Sequence, residues 1–162
     1  MSDKPRFSIR RASAADATAI LDCLSSAFAA YRERYTAAAY ADTVLSAETI
    51  RDRMNSMSLY VAVSQGGEIV GTIGCQVTSS GEGHLRGMAV LPPWQGHGLA
   101  EDLLRAAESE LGKMKCARIT LDTTQPLSRA MRFYEKNGYQ RSGKVADFFG
   151  MALFEYFKIL EE

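Results

Sequence analysis

The stretch that most constrains this chain is Gln95-Gly96-His97-Gly98-Leu99-Ala100, because of what stands on either side of it. Residues 84–90 read as a strand, and Pro92 and Pro93 forbid its continuation. After the glycines, apolar residues recur at helical spacing: Leu99, Leu103, Leu104, Ala107 and Leu111. A glycine loop therefore joins a strand to a helix N-terminus. The first N–H groups of a helix have no partner within it, and the macrodipole places partial positive charge there, so such a turn suits a phosphate or pyrophosphate. Gly96 and Gly98 let the backbone come close to that anion. A tight connection with no ligand would also account for a glycine turn taken alone.

Residues 7–10 form a short strand, and Ser13 is placed to cap a helix with apolar positions Ala17, Ile20, Leu21, Leu24 and Phe28. Ser46 precedes Ile50 and Met54, with Glu48 and Thr49 in the first turn, which predicts a second, shorter helix. Between them lie Tyr31-Arg32-Glu33-Arg34-Tyr35 and Tyr40. A strand meander follows: 59–63, a hairpin signal at Gln65-Gly66-Gly67, 68–77, a turn at Ser79-Ser80-Gly81, then 84–90. In this last strand the apolar phase is odd at Leu85 and even by Met88 and Val90, which predicts a bulge near Arg86 and Gly87. Such a bulge frees backbone groups of Met88, Ala89 and Val90 from the next strand. Residues 118–122 give another strand. Pro126 and Ser128 start a helix carrying Ala130, Met131, Phe133 and Tyr134, and Asn137-Gly138 stops it. Tyr139 begins a further strand, residues 143–150 read as a loop or ragged strand end, and 151–160 as a final strand. The expectation is an α/β (α+β) chain with a mixed, mostly antiparallel central sheet and helices on both faces.

Gln95, Gly98 and Ala100 match Q/R-x-x-G-x-G/A. With LRGMAV before it, a proline and an aromatic, a helix after it, then RITLDT and SRAMRFYEKNGY, the neighbourhood resembles the GNAT superfamily of acetyl-CoA-dependent N-acetyltransferases. The resemblance is good from 59 to 156; before 59 only the order and type of elements match. It implies the GNAT acyl-CoA N-acyltransferase fold, with acetyl-CoA as cosubstrate. It implies further that Gln95, Gly96, His97, Gly98, Leu99 and Ala100 hold the pyrophosphate, while backbone groups of Met88, Ala89 and Val90 pair with pantetheine. A rival reading is a dinucleotide fold, since Gly96 and Gly98 begin a G-x-G and Asp122 ends a strand about 20 positions later. Glu101 in the third glycine's place and the interposed residues 91–95 oppose it.

The resemblance also assigns chemistry. Relatives place a glutamate early in the third meander strand to take the acceptor's proton; here His84 stands there, with Glu82 in reserve. An amine of pKa about 10.4 needs about 4.6 kcal/mol to present its neutral form at pH 7, and a histidine of pKa about 6.5 suits the proton's removal. A packed, hydrogen-bonded histidine is the alternative. Tyr134 matches the tyrosine that in the family protonates the departing thiolate. Because a phenol is less acidic than a thiol, hydrogen bonding to sulfur stands beside proton donation, and a purely packed Tyr134 beside both. The acceptor's amine attacks directly in a ternary complex, with a strand N–H near 88–90 to hold the oxyanion. The tyrosine-rich segment 31–40 lies where the family builds its acceptor pocket, and equally reads as a solvated helix end. Two departures stand out: Leu127 replaces a pantetheine-binding asparagine, for which Gln125 or a backbone group would have to substitute, and His97 replaces a basic residue. Trp94 either covers the loop or anchors it.

At 162 residues, 1–162 reads as a single domain. Lys plus Arg, at 19, equals Asp plus Glu, at 19, so no global field draws nucleic acid or an anionic membrane. The polar start MSDKPRFS and the lack of a long apolar run predict a cytoplasmic protein. Cys23, Cys75 and Cys116 read as reduced core cysteines, and with only His84 and His97 no zinc pattern can be written. The expected acceptor is a small amine or amino-acid-like molecule; a protein N-terminus or lysine, and a non-catalytic acyl-CoA sensor, are the alternatives. Homodimers are common among relatives, yet no exposed stripe demonstrates one.

Overall fold

The computed structural model describes residues 6–160; the first five residues of the polar N-terminal segment lie outside them. The strands are β1 (Phe7–Arg11), β2 (Ser58–Ser64), β3 (Ile69–Ser79), β4 (Glu82–Val90), β5 (Arg118–Thr124), β6 (Gln140–Phe148) and β7 (Met151–Ile159). They form one sheet in the order β1-β2-β3-β4-β5-β7-β6. Every neighbouring pair is antiparallel except β4 and β5. The helices are α1 (Ala17–Phe28), α2 (Ala37–Val44), α3 (Ala47–Ser56), α4 (Leu99–Lys113) and α5 (Ser128–Lys136). The expected mixed sheet is thus present. Two apolar cores cover its faces, one gathering Leu99, Leu103, Leu104, Ala107 and Leu111 of α4 with Met131 of α5, the other Ile20, Cys23, Leu24 and Ile50 of α1 and α3.

Local chemistry sets the element ends. Ser46 Oγ accepts from the Thr49 N–H at 3.2 Å, capping α3. Ser13 leads first into one turn of 3-10 helix, Ala14–Asp16, before α1 begins. One part of the sequence reading changes and another is decided. The segment after Tyr35 contains α2, which the reading left without an element; Thr36 caps it by accepting from Ala39 N–H at 3.2 Å. Residues 143–148, read as a loop or ragged strand end, are an irregular strand: β6 runs to Phe148 across an irregularity between Arg141 and Val145, where Gly143 has φ +92°. The three cysteines are free and buried, and burial pushes the Cys23 thiol up to about 12. Among the described residues no helix is long and apolar enough to cross a membrane.

Two glycines let α4 lie close to the sheet. A Cβ on Gly71 would meet Leu99 Cδ2 at 2.7 Å, and one on Gly83 would meet Leu111 Cδ1 at 2.7 Å. Close packing at both ends of α4 sets where its N-terminus, and the loop before it, must stand.

Candidate active site

The site begins with a fault in the sheet. From Thr72↔Ala89 to Gly74↔Arg86 the register advances two residues on β3 and three on β4, so β4 carries one extra residue at 87–88. Gly87 takes φ +69° there, a conformation that suits glycine. Beyond the bulge β4 leaves its parallel neighbour: β4 and β5 pair only from Glu82↔Arg118 to Leu85↔Leu121. The carboxyl ends of two parallel strands therefore part, and the gap between them is where open α/β sheets take their ligands.

Backbone groups are left facing that gap. Leu91 N–H donates to Val70 carbonyl at 2.9 Å, so strand alternation turns Ala89 toward β3 and Val90 toward the gap. Gln95 Nε2 donates to Val90 carbonyl at 3.1 Å and ties the loop to the strand end. Gly96 and Gly98 both have φ +82° with open space where a Cβ would be, and Gly98 is the N-cap of α4. Trp94 packs against the core, which anchors the loop from beneath.

The gap opens into a cavity of about 700 Å³. Met88, Ala89, Val90, Gln95, Gly96 and Ala100 line it, whereas His97, Gly98 and Leu99 do not; His97 is exposed and Leu99 points into the core. Leu127 lines it and Gln125 does not. Tyr134 lines it from α5 and donates its hydroxyl hydrogen to Met88 Sδ at 3.4 Å, so α5 is joined to the bulge. Burial raises the Tyr134 phenol well above its ordinary range, and it stays protonated at neutral pH.

His84 lines the same cavity from β4. Parallel pairing sets it beside Thr120, whose Oγ1 is 2.8 Å from His84 Nδ1, and Asp122, two residues further along β5, brings Oδ2 to 3.6 Å from His84 Nε2. Burial lowers the His84 pKa while Asp122 opposes the shift. Burial raises that of Asp122, and His84 opposes it. Thr120 Oγ1 also lies 3.4 Å from the Gly83 carbonyl oxygen. The 2.8 Å contact serves either tautomer: with the Thr120 hydroxyl turned to Gly83 the ring donates from Nδ1 and Nε2 keeps its lone pair, and with the hydroxyl turned to the ring Nδ1 accepts. The sequence reading did not pair Asp122 with His84; the signal was an acid two places past a strand threonine, visible only once β4 and β5 are known to be neighbours.

Two contacts tie the N-terminal helices to β5 and to the β6–β7 turn. Tyr35 Oη and Thr124 Oγ1 are 2.6 Å apart, and Thr36 Oγ1 donates to Phe149 carbonyl at 2.9 Å. Phe28, Tyr31 and Tyr35 form the wall there, with Arg53 of α3 beside them. Thr123 Oγ1, at the end of β5, is buried with no hydrogen-bond partner among the described residues, and Thr123 lines the cavity. A split strand pair, an open glycine loop at a helix start and an unanswered hydroxyl fit a long, polar, phosphate-bearing ligand such as acetyl-CoA.

The Acetyltransferase (GNAT) family model matches residues 20–139, and the chain belongs to that family. Solved structures agree on the fold. An acetyltransferase of the GNAT family from Staphylococcus aureus Mu50 matches at TM-score 0.78 and 19% identity, over 96% of this chain and 100% of that one. The ribosomal-protein-S18-alanine N-acetyltransferase of Escherichia coli matches at TM-score 0.77 and 18% identity, over 97% and 96%. The PaiA N-acetyltransferase of Thermoplasma acidophilum, solved with coenzyme A, matches at TM-score 0.76 and 20% identity, over 96% and 99%.

Proposed function

We propose that this protein transfers the acetyl group of acetyl-CoA to the primary amine of a small molecule by direct attack in a ternary complex. The observation that carries this reading is the single cavity reaching from the glycine loop to His84 and on to the tyrosine-lined end. The Tyr35–Thr124 and Thr36–Phe149 bridges join the N-terminal helices to β5 and the β6–β7 turn beside the tyrosine wall, which favours a compact acceptor over a protein chain.

In this reading the backbone N–H groups at the start of α4, where Gly96 and Ala100 line the cavity, hold the pyrophosphate. The outward-turned backbone of Val90 pairs with the pantetheine arm. When bound, acetyl-CoA supplies a thioester carbonyl open to attack by an amine. His84 Nε2 takes the proton that the acceptor's nitrogen must lose as its N–C bond forms. Asp122 then faces an imidazolium and stabilises it, which offsets part of the cost of charging a buried ring. Tyr134 donates a hydrogen bond toward the sulfur as the C–S bond breaks. Because its phenol is held protonated, it is always ready as a donor.

Calorimetric titration with acetyl-CoA, followed by thiol release against a panel of amines, tests the proposal. Binding with release on some amine supports it, and the absence of acetyl-CoA binding contradicts it.

A further inference from the structure

Of the charged side chains that line the cavity without work in the chemistry above, Arg53 is the buried one. Arg53 of α3 is only 8% exposed and lines the cavity wall. Among the described residues its guanidinium makes no hydrogen bond and no ion pair; the one bond made near it, from Ser56 Oγ, goes to the Arg53 backbone carbonyl. The nearby acid that would answer it, Asp42, is engaged elsewhere, with Oδ2 2.6 Å from Arg86 Nη2. Arg86 adds a second positive charge to the neighbourhood. Burial lowers the Arg53 pKa to about 10, which still leaves it charged at neutral pH.

The Arg53 nitrogens are not sealed from solvent, so this cation without a protein partner faces the cavity, where an anion would answer it at little further desolvation cost. The guanidinium also lies on the bulge itself: a Cβ on Gly87 would sit 2.5 Å from Arg53 Nη1. Glycine at 87 thus serves two ends, taking φ +69° and leaving the space that the guanidinium fills. The adjoining residue Met88 touches Tyr134. Arg53 therefore borders the end of the cavity where the proposed chemistry takes place, not the glycine loop that would hold phosphate.

We propose that Arg53 binds a carboxylate of the acceptor, so that the acceptor is an amino acid or a close relative whose carboxylate stands next to the reacting amine. This rests on the amine-acetylation reading above. A guanidinium presents paired N–H donors in one plane, which match the two oxygens of a carboxylate. An α-amino acid carries its amine and carboxylate on one carbon, so a carboxylate held at the bulge brings the nitrogen to the same place. The cation also repels acceptors whose only charges are positive, such as polyamines.

The test uses protein saturated with CoA, titrated calorimetrically with N-acetyl-amino acids and with the matching N-acetyl-amino amides, which differ only at the carboxylate. The expected result is that at least one acid binds and its amide binds at least about tenfold more weakly, the range of a charged hydrogen-bonded pair. Arg53→Met should lose acid binding by a similar factor while keeping acetyl-CoA affinity, and Arg53→Lys should recover part of it. The Tm of unliganded Arg53→Met should equal or exceed that of the wild type, because an unanswered buried charge is gone. The inference is overturned if no acid binds, if acid and amide bind alike, or if both variants discriminate as the wild type does. The acid–amide comparison on the wild type needs no variant. A wild type that binds acetyl-CoA without telling acid from amide sinks this inference alone, whereas one that does not bind acetyl-CoA sinks the activity with it.

Discussion

His84 Nε2 and Asp122 Oδ2 lie 3.6 Å apart across the two parallel strands of the sheet, at the point where those strands begin to part. The pair joins a ring whose burial favours the neutral form to an acid that stabilises the charged one. Its pH behaviour follows from those signs. With the His84 pKa lowered, the proposed base is neutral and competent above that value and is lost as pH falls through it. The acid limb of kcat/KM should therefore lie below the ordinary histidine value of about 6.5. Asp122→Asn should move the limb lower still, since the carboxylate is what holds the value up. His84→Gln should remove the limb and slow turnover by about 100-fold or more. A pH–rate profile of the three proteins checks each sign.

Tyr134→Phe removes a donor without changing the shape of α5. If the hydroxyl stabilises the departing sulfur, kcat should fall by about 10- to 100-fold, the range of a hydrogen bond to a charged group, with acetyl-CoA affinity little changed. Equal kcat in the variant would leave Tyr134 as a packing residue joined to Met88.

Gly71→Ala tests how α4 is seated. Its methyl would meet Leu99 Cδ2 at 2.7 Å and Leu103 Cδ1 at 3.0 Å, at the end of the helix that carries the glycine loop. The expected cost is about 1–3 kcal/mol in denaturant unfolding, together with weaker acetyl-CoA binding. Gly98→Ala, with open space but φ +82°, should cost about 1 kcal/mol in stability through backbone strain alone.

The bulge was legible because strand periodicity is strict: one extra residue reverses the phase, and Leu85 against Met88 and Val90 shows the reversal. Helix α2 was not legible, because its sequence AAAYADTV buries only Ala39 and so carries no apolar stripe. Arg53 was hidden in a different way. It occupies the buried face of α3 with Ile50, three residues before it, and Met57, four after, positions where a charged residue breaks the pattern. That break was the available signal. Asp122 could not be paired with His84 from spacing, because the contact depends on which strands adjoin and in what register.

Asp16 gives a prediction about folding that is independent of the site. Arg10 donates to both of its carboxylate oxygens, at 2.8 and 2.9 Å, and the Ser13 N–H adds a third bond at 2.8 Å. These hold the Asp16 carboxyl down to about 2, below its unfolded value. The stability it contributes is complete above the unfolded pKa of about 3.9 and is lost as pH falls toward 2. Asp16→Asn should cost about 1 kcal/mol at pH 7, discounted for the half-exposed Arg10, and the difference from wild type should shrink on acidification.

The most direct measurement of the central claim is acetyl-CoA titration of the wild-type protein by calorimetry, followed by thiol release in the same preparation as amines are added. Saturable 1:1 binding, with release that needs an amine and falls in His84→Gln, is the predicted result. An absence of binding, or thiol release at the same rate with and without any amine, would contradict it.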